Sequence, residues 1–151
     1  RVRVIPPDPR TVALRDADRI VAAGLGIGDR AFLDHVQELA DALGAALGAS
    51  RPLADRGWVP FERQIGTTGQ MVSPRLYVAL GISGAIQHAA GIVGADTIVA
   101  VNVDRTAPMM AMATLGVVGD VHAVVPRLLE RLRQRGVGSA PPAESKKGAA
   151  R

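Results

Sequence analysis

The sequence predicts an α/β fold: one domain with a parallel sheet and helices on both faces. Three observations carry this. Short apolar runs recur along the chain, and each closes on glycine or a small polar residue. Between several of them lie stretches with helical periodicity or helix-start residues, so strands alternate with helices. The run Thr97–Asn102 is nearly continuously apolar, which suggests a strand covered on both faces.

The elements follow in order. Arg1-Val2-Arg3-Val4-Ile5 alternates polar and apolar residues like an edge strand, and Pro6, Pro7 and Pro9 stop it. Arg19–Ala23 is a short buried strand ending in the turn Gly24-Leu25-Gly26-Ile27-Gly28. A helix is expected over Ala31–Leu43, with Phe32, Val36, Leu39 and Leu43 on one stripe and Gly44 as its stop. Ala45–Ala49 is the next strand. Ser50 is then a candidate N-cap, with Pro52 in the first turn of a short helix ending at Gly57. Leu76–Leu80 is a strand closing on Gly81, and Ser83 is expected to cap a helix over Ser83–Ala90. Thr97–Asn102 is almost wholly apolar, as in a strand covered on both faces. Met109, Met110 and Met112 could form a pliable contact surface but read rather as core filling. Gly116–Gly119 is the last strand, and Val121, Val124, Val125, Leu128, Leu129 and Leu132 stripe a final helix. From Gly138 to Arg151 small residues, Pro and Lys predict a disordered basic tail, so the domain is placed at 1–137.

Composition narrows the function. The chain has 151 residues, enough for one proper core, with 48% hydrophobic and 21% charged residues, as in a soluble globule. It has no cysteine, which excludes disulfides, thiolate metal sites and cysteine nucleophiles and fits the cytoplasm. No apolar run is long enough to span a membrane, and no secretory signal is visible. The chain begins at Arg1 rather than Met, so a start trimmed or cut from a longer protein is expected. Net charge is +4, part of it in the tail, and aromatic residues are too few to stack bases, so no nucleic-acid partner is expected. His35, His88 and His122 lack the spacing of a metal site, and no catalytic acid–base set or nucleophile stands out.

Candidate function concentrates in two turns, Gln64-Ile65-Gly66-Thr67-Thr68-Gly69-Gln70 and Gly81-Ile82-Ser83-Gly84-Ala85-Ile86-Gln87-His88. The second follows a strand and opens a helix, where free amides and the helix dipole suit an anion. Gly24–Gly28, Ser50, Ser83, Asn102 and Asp120 all fall at expected carboxyl ends of strands, where open α/β sheets bind ligands. From these residues alone the reading is a dinucleotide-binding domain of Rossmann-like type.

The run Leu80–His88 resembles the alpha subunit of electron transfer flavoproteins, as do Gln64–Gly69, Ile98–Asp104 and Gly119-Asp120. The resemblance covers roughly residues 19–135 and matches that family's C-terminal, FAD-binding domain. It implies FAD as cofactor, a beta subunit as partner, and electron transfer between donor dehydrogenases and an acceptor. It implies that His88 lies near the flavin C2 carbonyl, Thr68 near N5, and Arg51 beside the ring. Ser50, Ser83 and the Gly84, Ala85, Ile86 and Gln87 amides would hold the diphosphate and ribityl portion. Asn102 and Asp120 would face the adenosine end; Ile65, Gly66, Thr67 and Val121 complete the implied set.

Departures matter as well. The family usually places an arginine in the first glycine turn, where this chain has Leu25. Thr67 and Gln70 stand where many members have glutamine and lysine. Leu25 is the main support for an alternative, a non-redox nucleotide-binding or scaffolding domain that has lost FAD. A nucleotide-dependent enzyme is a third class. Self-association of the isolated domain through an uncovered face is a further expectation.

Overall fold

The computed structural model describes residue 5 and residues 7–136. The expected edge strand lies outside the described residues except for Ile5, which belongs to no strand. The expected tail over 138–151 lies outside them too.

Five strands are present: β1 (Arg19–Ala23), β2 (Ala46–Ala49), β3 (Leu76–Leu80), β4 (Thr97–Asn102) and β5 (Leu115–Val118). They form one parallel sheet in the order β2-β1-β3-β4-β5. The helices are α1 (Leu33–Ala42), α2 (Arg51–Asp55), α3 (Ile86–Ala90), α4 (Pro108–Met112) and α5 (Val121–Gln134). This is the α/β fold the alternation implied. The chain leaves β1 towards one edge and, after β2, crosses back to β3, so the strand order reverses between β1 and β3. In doubly wound sheets that reversal opens a crevice at the carboxyl ends.

The period-two alternation of the strands divides the core in two. Val21, Ala23, Val78, Leu80 and Val101 pack under α1 and α5, against Val36, Leu39, Val125 and Leu129. Ile20, Ala22, Tyr77, Ala79, Ile98 and Ala100 face the other way, against Leu14, Ile65, Val72, Ile92 and Met109. Successive strand residues point to opposite faces, so a strand covered on both faces must be apolar throughout. The last strand differs: β5 is an edge, with Leu115 57% and Val118 54% exposed. Of the three methionines in the α4 region, Met109 is fully buried, whereas Met112 lies at the surface.

Several element limits move for local reasons. Residues 30–32 form a 3-10 turn before α1, capped by the Asp29 carboxylate, which accepts from Phe32 N–H at 3.0 Å. Gly44 ends α1 at φ +62°, and Ala45 N–H reaches back to the Ala40 carbonyl at 2.7 Å. Ser50 precedes α2 but makes no side-chain cap, and Gly57 takes up φ +72° after it. The expected helix from Ser83 is corrected: α3 starts at Ile86, with Ala85 at its N-cap and Ser83 capping nothing. Gly84 sits at φ +87°, and the Ser83 carbonyl accepts from Met109 N–H at 2.9 Å, which pins this stretch in a non-helical path.

Candidate functional site

The glycine turn after β1 and the turn after β3 meet main chain to main chain. Gly24 N–H donates to the Leu80 carbonyl at 2.9 Å and Gly26 N–H to the Gly81 carbonyl at 3.0 Å. A Cβ on Gly24 would fall 2.4 Å from the Gly81 oxygen, and one on Gly26 would fall 2.6 Å from the Gly81 Cα. Only glycine permits that approach, so these residues are first of all packing residues. The turn over 64–70 is anchored in turn: Ile65 N–H donates to Ala49 O at 2.9 Å and Thr67 N–H to Gln87 O at 3.0 Å. Thr67 thereby ties this turn to the first turn of α3.

Between these segments, at the carboxyl ends of β1 to β4, opens a cavity of about 590 Å³. That is the size of a small-molecule site. Leu25 and Gly26 line it after β1, Ser50, Arg51 and Pro52 after β2, and Gly81 to Ala85 after β3. Asn102 closes the β4 side, and Ile65, Gly66, Thr68, Gln87 and His88 complete the wall. Thus the expected binding residues Ser50, Arg51, Ile65, Gly66, Thr68, Ser83, Gly84, Ala85, Gln87, His88 and Asn102 come together. Thr67, Ile86, Asp120 and Val121 are not part of that lining. Ile86 points to solvent, 84% exposed, and Val121 is in the α1–α5 core. Asp120 caps α5, accepting from His122 N–H at 2.9 Å.

The wall residues differ in how far the protein itself occupies them. Ser50 is buried and its hydroxyl is not spent on α2. Thr68 Oγ1 accepts from Gln64 Nε2 at 2.9 Å, so the hydroxyl keeps its hydrogen to donate. Gln64 is buried and orients Thr68, a role that its place in the turn did not disclose. Asn102 is committed on both sides: Nδ2 donates to Ile82 O at 3.2 Å and Oδ1 accepts from Asp104 N–H at 2.9 Å. Arg51 stands exposed at the rim, 3.4 Å from Asp55.

His88 is the most constrained. It is 5% exposed, and its Nε2 lies 2.6 Å from the Tyr77 hydroxyl. Its Nδ1 is buried with no hydrogen-bond partner among the described residues. Burial pushes its pKa down to about 4, with the Ile65 backbone acting the other way. The ring is therefore neutral at pH 7.

One further feature went unread in the sequence. His122 Nε2 lies 2.8 Å from Ile27 O, and its ring packs on Phe32 at 4.2 Å between centroids. This fastens the first glycine turn to the start of α5. Among the described residues there is no group of three His, Asp or Glu placed to hold a metal, and no helix long and apolar enough to cross a membrane.

A parallel sheet whose cleft opens at its strand-order reversal defines a domain of nucleotide-binding architecture. The family model described as electron transfer flavoprotein FAD-binding domain matches residues 13–93, and the chain belongs to the electron transfer flavoprotein alpha family. It is 50% identical over 128 residues to Protein FixB of Bradyrhizobium diazoefficiens, covering 85% of this chain and 35% of that protein. It is 53% identical over 116 residues to the electron transfer flavoprotein subunit alpha of Mycobacterium tuberculosis, covering 77% and 36%. With the subunit of that name from Paracoccus denitrificans it shares 50% over 119 residues, covering 79% and 39%. The chain spans little more than a third of the length of these relatives.

Proposed function

We propose that this chain binds FAD in the cleft at the β1/β3 reversal and serves as the flavin-bearing part of an electron transfer flavoprotein. The observation that carries the reading is the wall itself. Residues from four strand ends and from the turn over 64–70 converge on one cavity, and a buried ring nitrogen of His88 there lacks any partner. A buried polar atom without a bond is costly, and an acceptor on a ligand relieves that cost.

The residues present fit the group. Ser50, Ser83 and the main chain of Gly84, Ala85, Ile86 and Gln87 would hold the diphosphate and ribityl portion. His88 would donate at the C2 carbonyl edge, Thr68 near N5, and Arg51 beside the ring. Asn102 and, from beyond the cavity lining, Asp120 would serve the adenosine end, with Ile65, Gly66 and Thr67 shaping the flavin end, whereas Val121 packs in the core. Bound FAD supplies the electron uptake and release, and the protein supplies position and electrostatics. A donor at the C2 edge favours the form in which negative charge develops there, so His88 raises the potential.

A beta subunit would close the cleft from the open side, and donor dehydrogenases and an acceptor would exchange electrons with the complex in the cytoplasm. Ile86, exposed at the first turn of α3 beside cavity residues Ala85 and Gln87, is an apolar side chain that such a cover would bury.

Calorimetric titration of FAD and FMN into the chain, alone and with the partner subunit, tests this. FAD should bind more tightly than FMN and more tightly still with the partner. Equal affinities for FAD and FMN, or no flavin binding in the complex, would refute the reading. A His88→Leu variant should retain its fold and lower the flavin potential.

A further inference from the structure

His88 carries two ring nitrogens with opposite circumstances. Nε2 faces the Tyr77 hydroxyl at 2.6 Å, and Nδ1 is buried without a partner. Tyr77 stands on β3 with no exposure at all, packed in the core on the α3 side of the sheet. A neutral imidazole holds one proton, and the tautomer decides which nitrogen donates.

The polarity of this bond follows from counting buried groups. If Nε2 carried the proton, it would donate to the tyrosine oxygen. The phenol O–H would then be a buried donor with no acceptor, and Nδ1 a buried acceptor with no donor. If Nδ1 carries it, the phenol donates to Nε2, and only the Nδ1–H remains to be satisfied. Leaving one buried group unsatisfied costs less than leaving two, so the second arrangement wins. Burial drives both groups the same way: it holds the Tyr77 hydroxyl protonated and His88 neutral.

We infer that Tyr77 is a positioning residue of the site: its hydroxyl donates to His88 Nε2 and so fixes the ring proton on Nδ1, for an acceptor atom of a ligand in the cleft. His88 is on the cavity wall, and no hydrogen bond of normal geometry from the described protein reaches that nitrogen. Tyr77 does not itself line the cavity. It acts through His88, as the partner of one imidazole nitrogen sets the role of the other. The ligand half of this inference rests on the proposed FAD reading; the tautomer half does not.

The test separates the two. Long-range nitrogen–proton correlation spectra of the histidine-labelled chain, recorded without ligand at pH 7 and assigned with His88→Gln, should show a protonated Nδ1 and a bare Nε2. Tyr77→Phe keeps the ring and removes the hydroxyl, so the balance should move towards protonated Nε2. FAD affinity of that variant should fall roughly three- to tenfold. With FAD bound, the midpoint potential should fall as well. A protonated Nε2 in the unaltered chain overturns the inference, whether or not Tyr77→Phe folds. So does a Tyr77→Phe variant whose nitrogen signals are unchanged. A tautomer that shifts while affinity and potential stay fixed overturns the ligand half. An unaltered chain that binds no FAD even with its partner refutes the proposed function, and the ligand-free spectra still decide the role of Tyr77.

Discussion

Two glycines separate the cost of an unusual backbone angle from the cost of close packing. Gly57 and Gly81 both adopt left-handed angles, φ +72° and +65°. A Cβ on Gly57 would meet nothing within 4 Å. A Cβ on Gly81 would lie 2.7 Å from Gly26 Cα, 2.8 Å from Gly26 carbonyl carbon and 3.0 Å from Ile27 nitrogen. All three are main-chain atoms, so no side chain can swing aside. Gly57→Ala should therefore cost only the left-handed strain, roughly 1–2 kcal/mol. Gly81→Ala should add an overpacking cost of about 1–3 kcal/mol. Urea unfolding of the two variants beside the unaltered chain, followed by circular dichroism, reads both losses provided the slopes agree. Gly81→Ala should also weaken FAD binding, since the turns it pries apart form the cleft wall, and Gly57→Ala should not. Equal stability losses for the two variants would show that the contact between the glycine turns does not resist a methyl group, and the packing argument would fall.

The remaining predictions concern charge. Burial lowers the His88 pKa from 6.5 to about 4, so between those values the unfolded chain binds a proton that the fold refuses. Stability from this group is complete above about 6.5 and declines as pH falls towards 4, by about 2 kcal/mol between pH 7 and 5. Urea midpoints at the two pH values should lose that component in His88→Gln, and an equal pH dependence in both proteins would assign it elsewhere. Asp120→Ala removes the α5 cap and should cost about 1 kcal/mol of stability; it should also weaken FAD while sparing FMN, and an unchanged ratio of the two affinities would leave the residue a helix cap alone. Leu25→Arg places a cation on the cavity wall and should tighten FAD binding about tenfold, which titration of both proteins would read.

The sheet was legible because a strand buried on both faces must be apolar, and the limits of β1, β3 and β4 came directly from that pattern. β5 was legible as a strand but not as an edge, since nothing in Leu115-Gly116-Val117-Val118 announces that two of its side chains face water. The start of α3 misled for a definable reason. Serine before a helical stretch normally caps, but here Met109, far along the chain, takes the Ser83 carbonyl and holds Gly84 out of the helix. The candidate site was legible where residues sit at strand ends. It was illegible where function depends on a partner distant in sequence: Gln64 on Thr68 lies within one turn, but Tyr77 on His88 and His122 on Ile27 appear only once the chain is folded. Asp120 and Val121 share a strand end with the cavity residues, yet β5 is the outermost strand and its end lies apart from the cavity lining.

The cleft wall is mortared by main chain, and that has a consequence for how this site can vary. Gly24, Gly26 and Gly81 join the two turns through backbone bonds and contacts that involve no side chain of residue 25. Leu25, 44% exposed between two fixed glycines, is thus an interchangeable fitting on a rigid frame. A sequence can exchange the group it offers there, cation for aliphatic, without redrawing the wall. Selection, or an engineer, has a free dial at position 25 and none at 24, 26 or 81.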